Sequence, residues 1–162
     1  MEFNIMKSGY TILKDKELVI EVITGKVKLK KFKTDRDLLY CDNNYNPAFN
    51  MIIDTREAQM LLTAEDMVEY FSYLSNKSNV FHHSRKTAIL TSPELKKKYV
   101  DGFKAFEKIT PIQFYIFADT ETCAEWIPGD GITKEELDEI ILYLKENPHH
   151  QWFKGPNSIM GF

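Results

Sequence analysis

The stretch Thr87-Ala88-Ile89-Leu90-Thr91-Ser92-Pro93 decides the fold class. Its first four residues form a short apolar run that is typical of a buried strand. Ser92 can cap a helix N-terminus and Pro93 suits the first helical position, so the pattern predicts a helix directly after the strand. That helix carries one apolar stripe, formed by Leu95, Tyr99, Phe103 and Phe106. A strand that passes directly into a helix is the repeating unit of an α/β sheet.

Upstream, the chain repeats this alternation. Two short strands are predicted within residues 11–23, around a polar turn, and Gly25 is predicted to end the second of them. A helix is predicted for residues 26–40, although Lys26 to Lys30 also alternate at strand period. Residues 49–54 form a compact apolar strand, which we predict to be the central one.

Downstream of that strand, capping signals mark four helix starts, one of which is the start at Ser92 described above. Thr63 and Asp66 form a capping-box pattern for a helix through about residue 76. A strand is predicted for residues 112–117, and Asp119 or Thr120 can cap a short helix after it. A last helix begins after Thr133 and ends before Pro148, with an apolar face formed by Leu137, Ile140, Ile141 and Leu144.

Composition predicts a globular protein. The 162 residues are 43% hydrophobic and 28% charged, with a net charge of −3. This balance provides no general attraction to nucleic acid or anionic membranes. No run reaches the ~18 apolar residues of a membrane helix, and the N-terminus has no signal-peptide pattern. Cys41 and Cys123 are predicted to be reduced, partly buried thiols. We therefore predict a cytoplasmic protein that binds no nucleic acid and does not insert into membranes.

Three segments resemble a known family: residues 46–56, 85–90 and 112–126. Their order resembles the STAS fold of sulfate transporters and anti-sigma-factor antagonists, in particular its SpoIIAA-like bacterial relatives. The resemblance covers roughly residues 10–128. It implies an α/β domain with a mixed, largely parallel sheet of about five strands and helices packed on it, with an added C-terminal helix and tail.

The resemblance also implies a non-enzymatic domain that works by binding a partner. In some relatives a phosphorylated serine, where the loop after the central strand enters its helix, switches that binding. Here the region reads Leu61-Leu62-Thr63-Ala64-Glu65-Asp66, without the Asp-Ser-Ser-Gly type of sequence. Thr63 is the only hydroxyl at this place, and a helix cap explains it more simply than a switch does.

Polar side chains follow the predicted strands and mark a candidate site. The carboxyl ends of parallel strands meet at one edge of a sheet, where such folds bind ligands. Asp119 and Ser92 also suit helix caps, whereas Asp54 and Arg56 precede their helix by several residues. The candidate partner- or ligand-binding residues are Asp54, Thr55, Arg56, Thr63 and Ser92.

Other patterns predict no metal, cofactor or catalytic centre. His82-His83 and His149-His150 lack the spacing of metal ligands. Residues 129–136 superficially resemble the end of an EF-hand loop, but Trp126 and Pro128 would then occupy ligand positions. The chain has no Gly-rich phosphate loop and no GxSxG elbow. The basic residues at 26, 28, 30, 31, 33 and 36 are interpreted as a solvated helix face, with attraction of an anionic partner as the alternative.

Two hypotheses of function follow. The first is a non-catalytic regulatory or scaffolding domain, residues 1–146, that binds an unidentified protein through the strand-end edge or through an aromatic tail. The alternative is a carrier or sensor of a small apolar ligand, held by aromatic residues of the helices. The tail, residues 147–162, is predicted to dock in a groove of its own chain or of a second copy in a homodimer.

Overall fold

A computed structural model describes residues 5–77, 85–108, 110–127 and 131–148. Within them the chain forms one five-stranded sheet in the order β1-β2-β3-β4-β5. β1 is antiparallel to β2, and the remaining neighbours are parallel. The strands are β1 (Lys7–Leu13), β2 (Leu18–Val27), β3 (Asn50–Met60), β4 (Arg85–Leu90) and β5 (Ile112–Phe117). The predicted mixed, largely parallel sheet is therefore confirmed.

Five α-helices accompany the sheet in the described residues. They are α1 (Leu29–Tyr40), α2 (Ala64–Ser75), α3 (Pro93–Glu107), α4 (Thr120–Trp126) and α5 (Lys134–Glu146). The three parallel crossovers, through α1, α2 and α3, all step in the same direction along the sheet. Because such crossovers are right-handed, their helices lie on one face of the sheet. This face is called the crossover face below.

The opposite face is covered by α4 and α5. The predicted apolar side of α5 is buried against β2 and β4 residues, which include Ile20, Val22 and Ala88. Without these two helices, that side of the parallel sheet would expose its apolar side chains to water. The C-terminal helix therefore completes the second layer of the fold.

β3 is longer than predicted. The prediction that it ends at Asp54, with Thr55 and Arg56 beyond it, is wrong, because the strand runs to Met60 along β2. Beside β4 the pairing stops at Asp54, which lies opposite Leu90. The register with β2 shifts between Val22 and Thr24, so β3 carries a bulge where it outruns β4.

The boundary between β2 and α1 also differs from the prediction. Gly25 does not end β2, which continues to Val27, and the helix begins only at Leu29. Gly25 has a φ of +83°, and a Cβ there would lie 2.2 Å from the carbonyl oxygen of Ile5. Glycine is thus required where the N-terminal segment crosses this strand.

Candidate ligand-binding cavity

A cavity of about 120 Å³ lies on the crossover face, between the sheet and helices α1 to α3. An engineered cavity of about 150 Å³ in another protein holds a benzene molecule, so this volume suits a small apolar group. The sheet side of the lining includes Met51, Ile53, Ile89, Ile112, Phe114 and Ile116. The helix side includes Phe32, Met67, Tyr70, Phe71, Leu95 and Phe106.

The period of β4 explains which of its side chains reach the cavity. Alternate residues of a strand point to opposite faces. Arg85, Thr87 and Ile89 line the cavity, whereas Ala88 and Leu90 pack in the core under α4 and α5. The exposed side chain of Lys96, at the start of α3, also lines the cavity, which therefore reaches the protein surface.

Aromatic rings form much of the helix side. The rings of Phe71 and Phe106 stack with centroids 4.6 Å apart, and Phe114 lies against Phe106 at 5.6 Å. Phe32 and Tyr70 form a tilted pair at 4.9 Å. Such rings offer a large apolar contact area with few rotatable bonds.

A buried ion pair lies on the same face. The Arg36 guanidinium contacts the Glu21 carboxylate at 2.5 Å, and their side chains are 4% and 2% exposed. Burial raises the pKa of Glu21 above its ordinary value, against the opposing effect of Arg36. Burial also raises the pKa of Tyr70, which hydrogen-bonds Arg36. The prediction that Arg36 belongs to a solvated helix face is wrong, because the residue is turned inward to meet Glu21.

A second buried guanidinium belongs to Arg85, which is 8% exposed. Its Nη1 donates a hydrogen bond of 2.7 Å to the Tyr45 hydroxyl. Its Nε is buried and has no hydrogen-bond partner among the described residues, and the same holds for the hydroxyl of Thr87. Arg85 and Thr87 are two residues apart on β4 and both line the cavity. Two buried polar side chains thus lie in the wall of a largely apolar cavity.

Of the residues predicted as site residues, only Thr55 lines this cavity. It is buried, and its hydroxyl donates a 2.8 Å hydrogen bond to the Leu90 carbonyl oxygen. The bond ties β3 to β4 where the two strands diverge. Thr55 therefore has a structural task in the cavity wall.

Asp54 and Arg56 lie on the opposite face of the sheet. The Arg56 side chain folds back on Asp54 with two hydrogen bonds, of 3.0 Å from Nε and 2.9 Å from Nη2. The Asp54 carboxylate also accepts a hydrogen bond of 3.0 Å from the Arg56 backbone N–H. The bulge takes this N–H out of the regular strand pairing, and the carboxylate gives it a partner. Nearby Cys123 is fully buried, and burial raises the pKa of its thiol to about 12. The other thiol, Cys41, is exposed rather than partly buried.

Thr63 and Ser92 are helix caps. The Thr63 hydroxyl accepts the Asp66 backbone N–H at 3.0 Å, and the Asp66 carboxylate accepts the Thr63 N–H at 2.9 Å. Ser92 accepts the Leu95 N–H at 3.4 Å, with a proline at the first helical position. The five predicted residues are thus divided between two faces and two helix ends, and a role for any of them in binding stays a prediction.

Sequence reasoning missed Glu21, Arg36 and Arg85, yet a signal for two of them was present. Glu21 interrupts the apolar run of residues 18–23, and a carboxylate in a buried strand requires a partner. Arg36 shares a helical stripe with Phe32 and Leu39, both of which are buried. Arg85 precedes its apolar run and gave no comparable signal.

Neither a metal site nor a membrane span is found in the described part of the chain. No group of three or more His, Cys, Asp or Glu side chains there could hold a metal ion. No helix in it has the length and apolar character to cross a membrane. Both predicted histidine pairs, and all of the tail beyond Pro148, lie outside the described residues, as do the side chains of Tyr99 and Phe103.

Comparison with known proteins supports the fold assignment. A scan against models of protein families finds no match, and neither does a search of curated proteins. Among solved structures, the chain is similar to an uncharacterized protein of the DUF3478 family from Shewanella loihica PV-4, described as having a SpoIIAA-like fold. The TM-score is 0.54 at 17% sequence identity, over 79% of this chain and 99% of that one. The chain therefore has a SpoIIAA-like fold, as the order of its strands and helices predicted.

Proposed function

We propose that this domain is a non-catalytic carrier or sensor that binds a small apolar molecule in the cavity on its crossover face. The cavity itself carries the proposal. Protein interiors are close-packed, with few voids larger than a water molecule. In the described part of the chain, the apolar side chains around this cavity of about 120 Å³ lack the contacts that a close-packed interior would give them. An apolar occupant would restore the missing contacts.

The alternative, a protein partner at the strand-end edge, has weaker support. Arg56 is occupied by Asp54, and both Thr63 and Ser92 are occupied by helix caps. No feature of the described edge favours a protein surface over solvent. A protein partner stays a prediction, and the cavity favours the small ligand.

Benzene, added to the protein labelled at isoleucine methyl groups, tests the cavity directly. Ile53, Ile89 and Ile116 line it, whereas Ile52 and Ile140 are buried on the other face and serve as internal controls. We expect benzene to shift the methyl NMR signals of the first group in a saturable way and to leave the second group unchanged. Equal shifts in both groups, or none, would contradict the proposal.

A matched pair of tryptophan variants extends this test. Leu95→Trp places a large ring at the surface end of the cavity, and we expect it to weaken benzene binding at least about tenfold by occupying the same space. Val68→Trp adds the same ring on the outer side of α2, where Val68 is 69% exposed, and should leave binding unchanged. The natural ligand can be sought by native mass spectrometry of freshly purified protein. A bound ligand would increase the mass of the native protein over that of the denatured chain.

A further inference from the structure

We infer that the cavity ligand carries a carboxylate, which is bound by Arg85 and Thr87, so that the ligand is a small aromatic or short-chain monocarboxylate. This inference rests on the proposed function, because it assigns a chemical class to the ligand of the same cavity. Three observations support it: the charges around Arg85, the two buried donors of Arg85 and Thr87, and the size of the apolar space.

Among the described residues, Arg85 has only long-range charge compensation. On the crossover face Glu21 is engaged by Arg36 at 2.5 Å and attracts Arg85 only from farther away. The buried carboxylate of Asp35 is engaged by Lys31 and Ser8. Among the described residues no carboxylate forms an ion pair with Arg85, whose polar partner is the neutral Tyr45 hydroxyl. A buried charge without a partner is strongly unfavourable unless a counter-ion or several hydrogen bonds compensate for it. A bound anion would supply that compensation.

Two buried donors in the cavity wall match the two oxygens of a carboxylate in number. The buried Nε of Arg85 and the hydroxyl of Thr87 have no hydrogen-bond partner in the described chain. Since the two residues lie on the same side of β4, their Cα atoms are about 6.6 Å apart along the strand. Both atoms are closed to water in the folded chain, so a carboxylate reaches them once the two side chains turn toward the cavity; it then accepts from the guanidinium with one oxygen and from the hydroxyl with the other.

The apolar space limits the rest of the ligand. Ile112 pairs with Arg85 across the sheet, and Phe114 pairs with Thr87, so apolar side chains begin directly beside the polar pair. The cavity volume of about 120 Å³ suits a body close to the size of benzene. A monocarboxylate with an aromatic ring or a short alkyl chain meets both requirements.

Benzoate and benzamide are the probes, because they have the same shape and differ in charge. Binding is measured from the isoleucine methyl signals at pH 7. We expect benzoate to bind at least about tenfold more tightly than benzamide, and Arg85→Met to abolish this preference by weakening benzoate far more than benzamide. Lys97→Met is the control, because Lys97 is an exposed cation of α3 outside the cavity lining, and it should keep the preference.

The outcomes separate this inference from the proposed function. If benzamide and benzene bind in the cavity but benzoate binds no more tightly, the carboxylate is wrong and the apolar cavity stands. If the preference survives Arg85→Met or is lost in Lys97→Met, Arg85 is not the anchor. If no probe binds, both proposals fall. Arg85→Gln, which keeps a polar but neutral side chain, gives the same test should the methionine variant not fold.

Discussion

The buried ion pair of Glu21 and Arg36 gives the sharpest test of how this fold is stabilised. Arg36→Met would leave the Glu21 carboxylate, 2% exposed, without its counter-ion. Breaking a buried pair in this way costs about 3–5 kcal/mol. For a chain of this size each kcal/mol lowers the melting temperature by about 2–4 °C, so we expect a decrease of roughly 6–20 °C. Urea unfolding followed by circular dichroism measures the free energy.

Two further variants identify the cause of that loss. Lys30→Met, at an exposed position of the same helix, should change the free energy of unfolding by less than about 0.5 kcal/mol. Glu21→Leu combined with Arg36→Met removes both charges, and should be more stable than Arg36→Met alone. The reasoning is refuted if Arg36→Met resembles Lys30→Met, or if the double variant is the least stable of all.

The loss should also depend on pH, in a direction that the pKa of Glu21 determines. Burial raises that pKa above the ordinary value of 4.5, and Arg36 opposes the increase. Without Arg36 the pKa rises further, so folded Glu21 keeps a proton that the unfolded chain has released. A raised carboxyl pKa stabilises the folded state most below the unfolded value, and this contribution is lost as pH rises through the folded value. The deficit of Arg36→Met should therefore be smallest near pH 4.5 and should grow toward pH 8.

Two other predictions concern single residues. Gly25→Ala should destabilise the protein by roughly 2 kcal/mol or more, because Gly25 has a positive φ and lies against the Ile5 carbonyl. Gly102→Ala, in α3 with open space around it, should instead stabilise the protein by about 0.5–1 kcal/mol. Equal effects of the two variants in urea unfolding would contradict this. Cys41 should react with Ellman's reagent in the native protein. Cys123 is fully buried, and burial raises the pKa of its thiol to about 12, so it should react only after denaturation. Two reactive thiols per native chain would contradict the burial of Cys123.

Much of the local structure could be read from sequence because its causes are local. The helix caps at Thr63, Ser92, Asp119 and Thr133 all form as predicted, since a cap depends on a side chain and a backbone N–H a few residues away. The alternation of strands and helices likewise predicted the largely parallel sheet and the SpoIIAA-like fold.

The sequence failed where a distant neighbour decides the outcome. β3 continues past Asp54 because β2 is present to pair with residues as far as Met60, and no local pattern reveals that neighbour. Arg36 appeared to be one cation of a solvated face until the fold placed it against Glu21.

By itself, the sequence determined the fold class, the order of the helices and strands, and the starts of the four helices with side-chain caps, because each depends on periodicity or on contacts a few residues apart. Only the tertiary structure decided the candidate site. Arg85 bonds Tyr45 across 40 positions of the chain, and the cavity lies between elements that meet only after folding. A cavity, and a buried Arg85 that no described carboxylate contacts, depend on how the layers pack, so they exist only when the layers have come together.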